Sequence, residues 1–219
     1  MNKLVYVRHG ESNTTVARVI GGHRTCSGLS PLGVQQAERL RDRWAANPEF
    51  TPDHIIASHF SRARQTAEIV AEAFADLPQF SGKVEIDEEF GEHDPGPDCD
   101  GMTMDDFVDR FGTGAWESDP FGVSFPGGET IAGFQFRIGS AVRRIADAHE
   151  GQTVLIVCHG GVIDAVVRQA LKAPPTGSFM INTLNTSITE LTLLRPNFWS
   201  LRRYGDAAHL AGLPAATVA

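Results

Sequence analysis

The sequence is poor in cysteine. It has three, Cys26, Cys99 and Cys158, an odd number with one inside an apolar run, so no disulfide framework is implied. Their spacing does not resemble a zinc site either. The expectation is a reduced, intracellular chain in the cytoplasm. A basic excess is also missing. The formal net charge is -8, which argues against a general nucleic-acid or anionic-membrane surface. No apolar run approaches the ~20 residues that span a bilayer. The opening residues lack the basic region and long apolar core of a signal peptide. There is no internal repeat and no low-complexity tract. What is there is ordinary globular material, 42% hydrophobic and 21% charged over 219 residues. That suffices for a sizeable core without a metal or disulfide staple, so residues 1–219 read as a single domain.

Two stretches organise the chain. Leu4-Val5-Tyr6-Val7 is an apolar run that breaks into Arg8-His9-Gly10. Val154-Leu155-Ile156-Val157-Cys158 breaks in the same way into His159-Gly160-Gly161. Both runs suit buried strands, and ligands of α/β folds bind beyond the carboxyl ends of strands. If the two strands are neighbours, their imidazoles face each other across one pocket.

Between and after them, strands and helices alternate. Ser30-Pro31 reads as an N-cap with proline in the first turn. The helix it opens has Val34, Ala37, Leu40 and Trp44 on one face and stops at Asn47-Pro48. Residues 54–58 read as a strand, followed by a helix from Ser61 to Phe74 that Ser58 or Ser61 would cap. Residues 84–86 form a third strand. From Phe90 to Phe125 the texture turns rich in Gly, Pro and Asp, with one helical candidate from Thr103 to Phe111. So long an irregular run implies function, and it reads as an excursion that covers a site. A helix from Thr130 to Ala148, the Val154 strand, a helix from Gly161 to Leu171 and strands at 187–194 and 198–204 complete the chain. The Thr14–Cys26 loop shows no periodicity, and the tail is expected to be partly disordered beyond about Leu213. The alternation predicts a three-layer α/β/α sandwich with a mostly parallel central sheet. Its last strand could pair two subunits into a homodimer.

The polar groups at the strand ends are Arg8, His9, Arg62 and His159. Arginine forks fit phosphate oxygens with paired, charge-assisted bonds. Helix starts after Arg62 and Gly160 add backbone N–H donors. A neutral imidazole between them could attack phosphorus, and the cations would offset charge in transit. A proton donor for the leaving alcohol is then needed, normally a carboxylic acid.

Arg8-His9-Gly10-Glu11-Ser12 resembles the signature of the histidine phosphatase superfamily, the phosphoglycerate-mutase-like fold. The likeness extends to Leu29-Ser30-Pro31-Leu32-Gly33 with Gln36-Ala37, to Arg62-Ala63-Arg64-Gln65-Thr66-Ala67, to Phe125-Pro126-Gly127-Gly128-Glu129 and to Cys158-His159-Gly160-Gly161. Five such segments in order are specific. The resemblance implies that His9 is the nucleophile that becomes phosphorylated. It implies that Arg8, Arg62 and His159 hold the phosphate oxygens, with no metal or organic cofactor. Its proton donor stands in L-x-E-x-x-x-G, matched here by Phe90-Gly91-Glu92-His93-Asp94-Pro95-Gly96, which points to Glu92, with Asp87, Glu88 and Glu89 as rivals. Many members carry Asn where this chain has Thr15, so Thr15 or Asn13 is the candidate for that phosphate contact. The usual Trp after the acid segment is replaced by Pro97 to Met102.

Other residues read as ordinary. His54, His59, His149 and His209 lack a strand-end context, while His23 and His93 stand in loops that could line the mouth. Arg64 is structural, Glu11 orients its loop and Trp44 is core. Trp116 is either pocket wall or surface packing. A small phosphorylated substrate and hydrolysis are favoured. A mutase would carry a longer insertion and E-R-H-Y-G after the acid, a non-catalytic binder would have lost part of the cluster, and a di-histidine metal site lacks a third ligand and faces two arginines. Nearby positive charge favours neutral His9 but also ionised Glu92, so an acidic to near-neutral optimum is expected.

Overall fold

The computed structural model describes residues 1–77, 82–112, 119–122, 125–177 and 179–217. In chain order the elements are β1 (Asn2–Arg8), α1 (Asn13–Val16), α2 (Pro31–Ala46), β2 (His54–Ala57), α3 (Ser61–Ala71), β3 (Val84–Ile86), α4 (Gly96–Cys99), α5 (Met104–Phe111), α6 (Ile131–Ala148), β4 (Thr153–Cys158), α7 (Gly160–Leu171), β5 (Ile188–Arg195) and β6 (Phe198–Asp206). The sheet order is β3-β2-β4-β1-β5-β6. The first four strands of that order are parallel, and β5 and β6 add antiparallel at one side.

Successive side chains of a strand point to opposite faces, and both faces of β1 are covered. Leu4 and Tyr6 pack with Ile138 and Ile145 of α6 and with Val162 and Val166 of α7. Val5 and Val7 pack on the other side with Leu40 and Trp44 of α2 and with Ala67 and Val70 of α3. This makes the three layers. It also explains why β1 and β4 read as unbroken apolar runs: neither has a solvent face to mark by alternation. Each fully buried aliphatic side chain stabilises the fold by roughly 1.5–3 kcal/mol, so the site stands on the most strongly held strands.

Helix starts follow local chemistry. Ser30 Oγ accepts the N–H of Gly33 at 3.0 Å, and Thr130 Oγ1 that of Gly133 at 2.9 Å. Helix α3 departs from the expectation. Its N-cap is Phe60, without a side-chain bond, and neither Ser58 nor Ser61 caps it. It also ends at Ala71, followed by a 3-10 turn over Glu72–Phe74. The Thr14–Cys26 loop begins with the single turn of α1, too short to leave a periodic pattern, with Ser12 as its cap.

The 90–125 excursion is tied down where it is described. Cys99 of α4, Phe107 of α5 and Phe125 make a small cluster of their own with Ile20 and Met102 beside it. Residues 19 and 103 form a bridge, and Ile20 exchanges backbone bonds with Met102 and Gly101 at 2.8 Å each. Trp116 lies outside the described residues. In the tail, Thr217 donates its N–H to the buried Glu11 carboxylate at 2.6 Å. Small apolar composition gave no sign of a contact that a buried charge supplies. Among the described residues no helix is long and apolar enough to cross a membrane.

Candidate active site

The register of the sheet builds the site. β1 and β4 run side by side with Arg8 opposite Cys158, so the next residue of each is a histidine. The His9 N–H donates to the Cys158 carbonyl at 2.9 Å, and the two ring centroids are 5.1 Å apart. β2 lies on the other side of β4, and its following residue, Ser58, faces the His159 Nε2 at 2.8 Å. Arg62 comes from the first turn of α3 and Arg8 from the last position of β1.

His9 is wired on both ring nitrogens. Nδ1 lies 2.6 Å from the Gly10 carbonyl. A carbonyl only accepts, so this contact assigns the hydrogen to Nδ1. Nε2 then presents a lone pair, and Arg62 Nε–H donates to it at 3.1 Å. Burial holds this imidazole well below the usual histidine range, reinforced by Arg62 and Arg8 and opposed by the Gly10 bond. His159 is depressed as well, first by burial, then by Arg62, His9, His59 and Arg8. Both rings are therefore neutral near pH 7. Burial pushes the Cys158 thiol up, so it offers no competing thiolate.

Arg8 donates Nη1 to the Thr183 carbonyl. Its guanidinium is lowered by burial and by Arg62, and sustained by Glu92. Its Nε, the His159 Nδ1 and the Thr183 Oγ1 are buried without a partner. Unpaired buried donors are costly, and here they border one cluster. Gly160 stands against them: a Cβ there would lie 3.6 Å from Arg8 Nε and 3.7 Å from Thr183 Oγ1. Glu92 reaches the same place from the excursion. Its Oε2 accepts the Gly161 N–H at 3.0 Å, and its Oε1 accepts the His93 N–H at 2.9 Å. A Cβ on Gly161 would lie 2.3 Å from Glu92 Oε1, so the second glycine of the pair makes room for the acid.

The remaining sequence segments hold the His9 loop. Thr66 Oγ1 accepts the Gly10 N–H at 3.0 Å and donates to the Arg62 carbonyl at 2.7 Å. Gln36 accepts the Glu11 N–H at 2.8 Å, and Gln65 accepts that of Leu29 at 2.8 Å. Glu11 takes the Ser30 hydroxyl at 2.7 Å. Gly10 and Gly33 meet backbone to backbone, since a Cβ on Gly10 would fall 2.5 Å from the Gly33 carbonyl oxygen.

Arg8, His9, Arg62, His159, Glu92 and Gly160 thus come together. Asn13 and Thr15 share no hydrogen bond with this group. Asn13 is exposed and its amide donates to Ser27 Oγ at 3.4 Å, while the Thr15 hydroxyl lies 3.0 Å from that of Ser12. Asp87 and Glu89 pair with Arg144 at 2.6 and 2.7 Å. Sequence reasoning missed Ser58, although it follows β2 as His9 follows β1. It also missed Asn185, whose amide donates to the His9 carbonyl at 2.8 Å, and Thr183. His59 was read as ordinary, yet its ring lies 4.7 Å from Phe60 and 4.7 Å from His23, and Phe60 lies 4.9 Å from His159. The mouth loop closes over this group: Gly21 accepts from Arg62 at 3.2 Å, and Asp100 takes the N–H groups of Gly22 and Arg24 at 2.9 and 2.8 Å. Among the described residues no three His, Cys, Asp or Glu side chains gather as metal ligands.

Comparison with known proteins identifies the family. The profile of the histidine phosphatase superfamily, branch 1, matches residues 4–207. Phosphoglycerate mutase-like protein 4 of Arabidopsis thaliana is 30% identical over 213 residues, covering 95% of this chain and 86% of its own. The metal-independent phosphoserine phosphatase of the same plant is 27% identical, covering 97% of this chain and 85% of its own. The solved structure of Bacillus stearothermophilus YhfR superposes with a TM-score of 0.77 at 29% identity, over 96% of this chain and 100% of that one. The chain belongs to the histidine phosphatase superfamily, branch 1, and with it to the phosphatase class of enzymes.

Proposed function

We propose that this chain is a metal-independent phosphomonoesterase that works through a phosphohistidine on His9, with Glu92 as proton donor. The observation that carries the proposal is the wiring of His9: a neutral ring, its hydrogen fixed on Nδ1 and its Nε2 lone pair turned into a cluster of two guanidinium groups. That arrangement suits a nucleophile for a dianionic phosphoryl group. The substrate displaces the Arg62 Nε–H from Nε2, and the guanidinium turns to a phosphate oxygen. His9 Nε2 attacks phosphorus, and the bond from phosphorus to the alcohol oxygen breaks. Glu92 gives its proton to that oxygen, and the alcohol leaves. Water then attacks phosphorus and yields its proton to the Glu92 carboxylate. The phosphorus–Nε2 bond breaks, restoring the neutral ring and releasing phosphate. Arg8, Arg62, His159 and the Gly160 N–H hold the three peripheral oxygens throughout. The substrate is a small phosphorylated molecule, as the phosphoserine phosphatase relative suggests.

The test is phosphate release from a panel of phosphomonoesters, including 3-phosphoglycerate, in EDTA, for wild type and His9→Ala. Release that survives EDTA and vanishes in the variant supports the proposal. Release abolished by EDTA overturns metal independence, and isomerisation without release makes the chain a mutase.

A further inference from the structure

The Pro126-Gly127-Gly128-Glu129 segment touches neither histidine, and the chemistry above gives it no task. Its neighbour on α6, Arg137, is equally idle there. Yet the two converge on the loop that carries Glu92. Arg137 Nη1 donates to the carbonyls of Glu89 at 2.6 Å and Gly91 at 3.1 Å, and Nη2 to that of Glu92 at 3.3 Å. Nε and Nη2 also fork onto the Glu129 carboxylate at 3.0 and 2.7 Å. A guanidinium has five N–H donors, and here each has an acceptor. Glu129 grips the loop on its other side: its N–H donates to the Asp94 carbonyl at 2.9 Å, and its carbonyl accepts the His93 Nε2–H at 2.7 Å. Gly128 permits this approach, because a Cβ there would lie 2.5 Å from the Asp94 oxygen.

We infer that the Arg137–Glu129 pair is the positioning device for Glu92, fixing where the acid stands relative to the leaving oxygen. The inference rests on the reading of Glu92 as proton donor. Residues 91–95 have no helix or strand of their own, so nothing regular places the acid. The clamp supplies that placement from a rigid base. Arg137 sits between Phe134 and Ile138, both buried in the core that α6 shares with the sheet. The backbone is held at residues 89, 91 and 92 by Arg137 and at 94 by Glu129, which also takes the ring of His93. Only the Glu92 side chain is left to reach Gly161. Neither clamp residue bonds to Arg8, His9, Arg62 or His159, so its loss acts on proton delivery and leaves phosphate binding alone. An acid misplaced by about 1 Å is expected to cost about 10²-fold. Lysine keeps the charge but has three donors and no fork, so it restores little.

The experiment compares an alkyl phosphate, whose alkoxide needs a proton, with 4-nitrophenyl phosphate, whose phenolate does not. Single turnovers read release of the alcohol or phenolate alone, because the later attack of water, where Glu92 takes a proton, is common to both. Arg137→Ala, Arg137→Lys and Glu92→Gln are made singly, and Arg137→Ala also in the Glu92→Gln background. Expected is a loss of about 10²-fold in the single-turnover rate of alcohol release from the alkyl phosphate with Arg137→Ala. The aryl ester should change less than about threefold, and inhibition by inorganic phosphate should stay constant. In the Glu92→Gln background Arg137→Ala should cost less than about threefold on either substrate, because the acid it serves is gone. Equal slowing of both esters, or an undiminished loss in that background, overturns the positioning role. If Glu92→Gln itself slows both esters equally, the proton-donor reading falls first. Should Arg137→Ala fail to fold, Glu129→Gln, which weakens the fork but keeps the backbone bonds, is held to the same pattern.

Discussion

The two strand ends that carry histidine look alike in sequence and are built differently. His9 has both ring nitrogens engaged, one by a carbonyl and one by a guanidinium. His159 has Nε2 on the Ser58 hydroxyl and leaves Nδ1 buried and unpartnered. A ring whose lone pair meets a guanidinium can be freed for attack when phosphate draws that guanidinium away. A ring with an unanswered nitrogen is suited to hold an oxygen that arrives with the ligand. In the proposed chemistry, the same residue type on neighbouring parallel strands divides into a nucleophile and a binding group through its immediate partners.

The sharpest way to break this comparison is to remove each ring in turn. His9→Ala should give no phosphoenzyme and no turnover. His159→Ala should slow turnover about 10²–10³-fold, the usual cost of one charge-stabilising group, while still trapping phosphate on His9. Rapid-quench labelling with a radioactive substrate checks this, and a labelled His9→Ala protein would reverse the two assignments.

The glycines that follow the histidines offer the next contrast. At Gly10 an added Cβ meets the backbone of Gly33, and at Gly161 it meets the end of the Glu92 side chain. Backbone cannot give way and a side chain can. Gly10→Ala should therefore lower the melting temperature by several degrees, a shift that corresponds to roughly 1–3 kcal/mol. Gly161→Ala should melt like wild type yet lose about tenfold or more in turnover of alkyl phosphates, as the acid is pushed aside. Calorimetry and steady-state kinetics on the two variants would separate them.

The smallest effect is on stability against pH, where the two rings should behave alike. Each titrates near 6.5 in the unfolded chain and well below that when folded. Between those values the unfolded state binds more protons, so stability is fully present above pH 6.5 and falls as pH drops below it. The slope is at most about 1.4 kcal/mol per pH unit for each proton. His9→Asn should flatten the fall by about one proton's share in denaturant titrations at pH 7, 6 and 5. An unchanged slope would mean that His9 takes up its proton as freely when buried as when unfolded.

Much of this was legible beforehand because the chemistry is concentrated where strands stop. An apolar run broken by a charged residue and a histidine is visible in one dimension, and so is a helix opened by Ser30-Pro31. That is why β1, β4 and α2 could be read, and with the two strands the histidines His9 and His159 that follow them. Ser58 could not, because its task depends on β2 lying beside β4, a pairing that no local pattern encodes. Arg137 reads as one more cation on an amphipathic helix; only the excursion's return brings carbonyls to it. The burial of Glu11 and its bond to Thr217 are likewise products of tertiary packing.

The place of β1 in the sheet has a consequence for how the protein assembles. Lys3 pairs with Thr153 on one side and with Thr192 on the other, so the central strand finds its neighbours only after most of the chain has been made. Contacts so distant in sequence carry a large loop-closure cost and slow the search for them. The β5–β6 hairpin and the α2–α3 pair are local and can form early, whereas β1 must wait as an exposed apolar ribbon. The strand that carries His9 is then among the last to dock, and the chain is most prone to aggregation in the interval before it does.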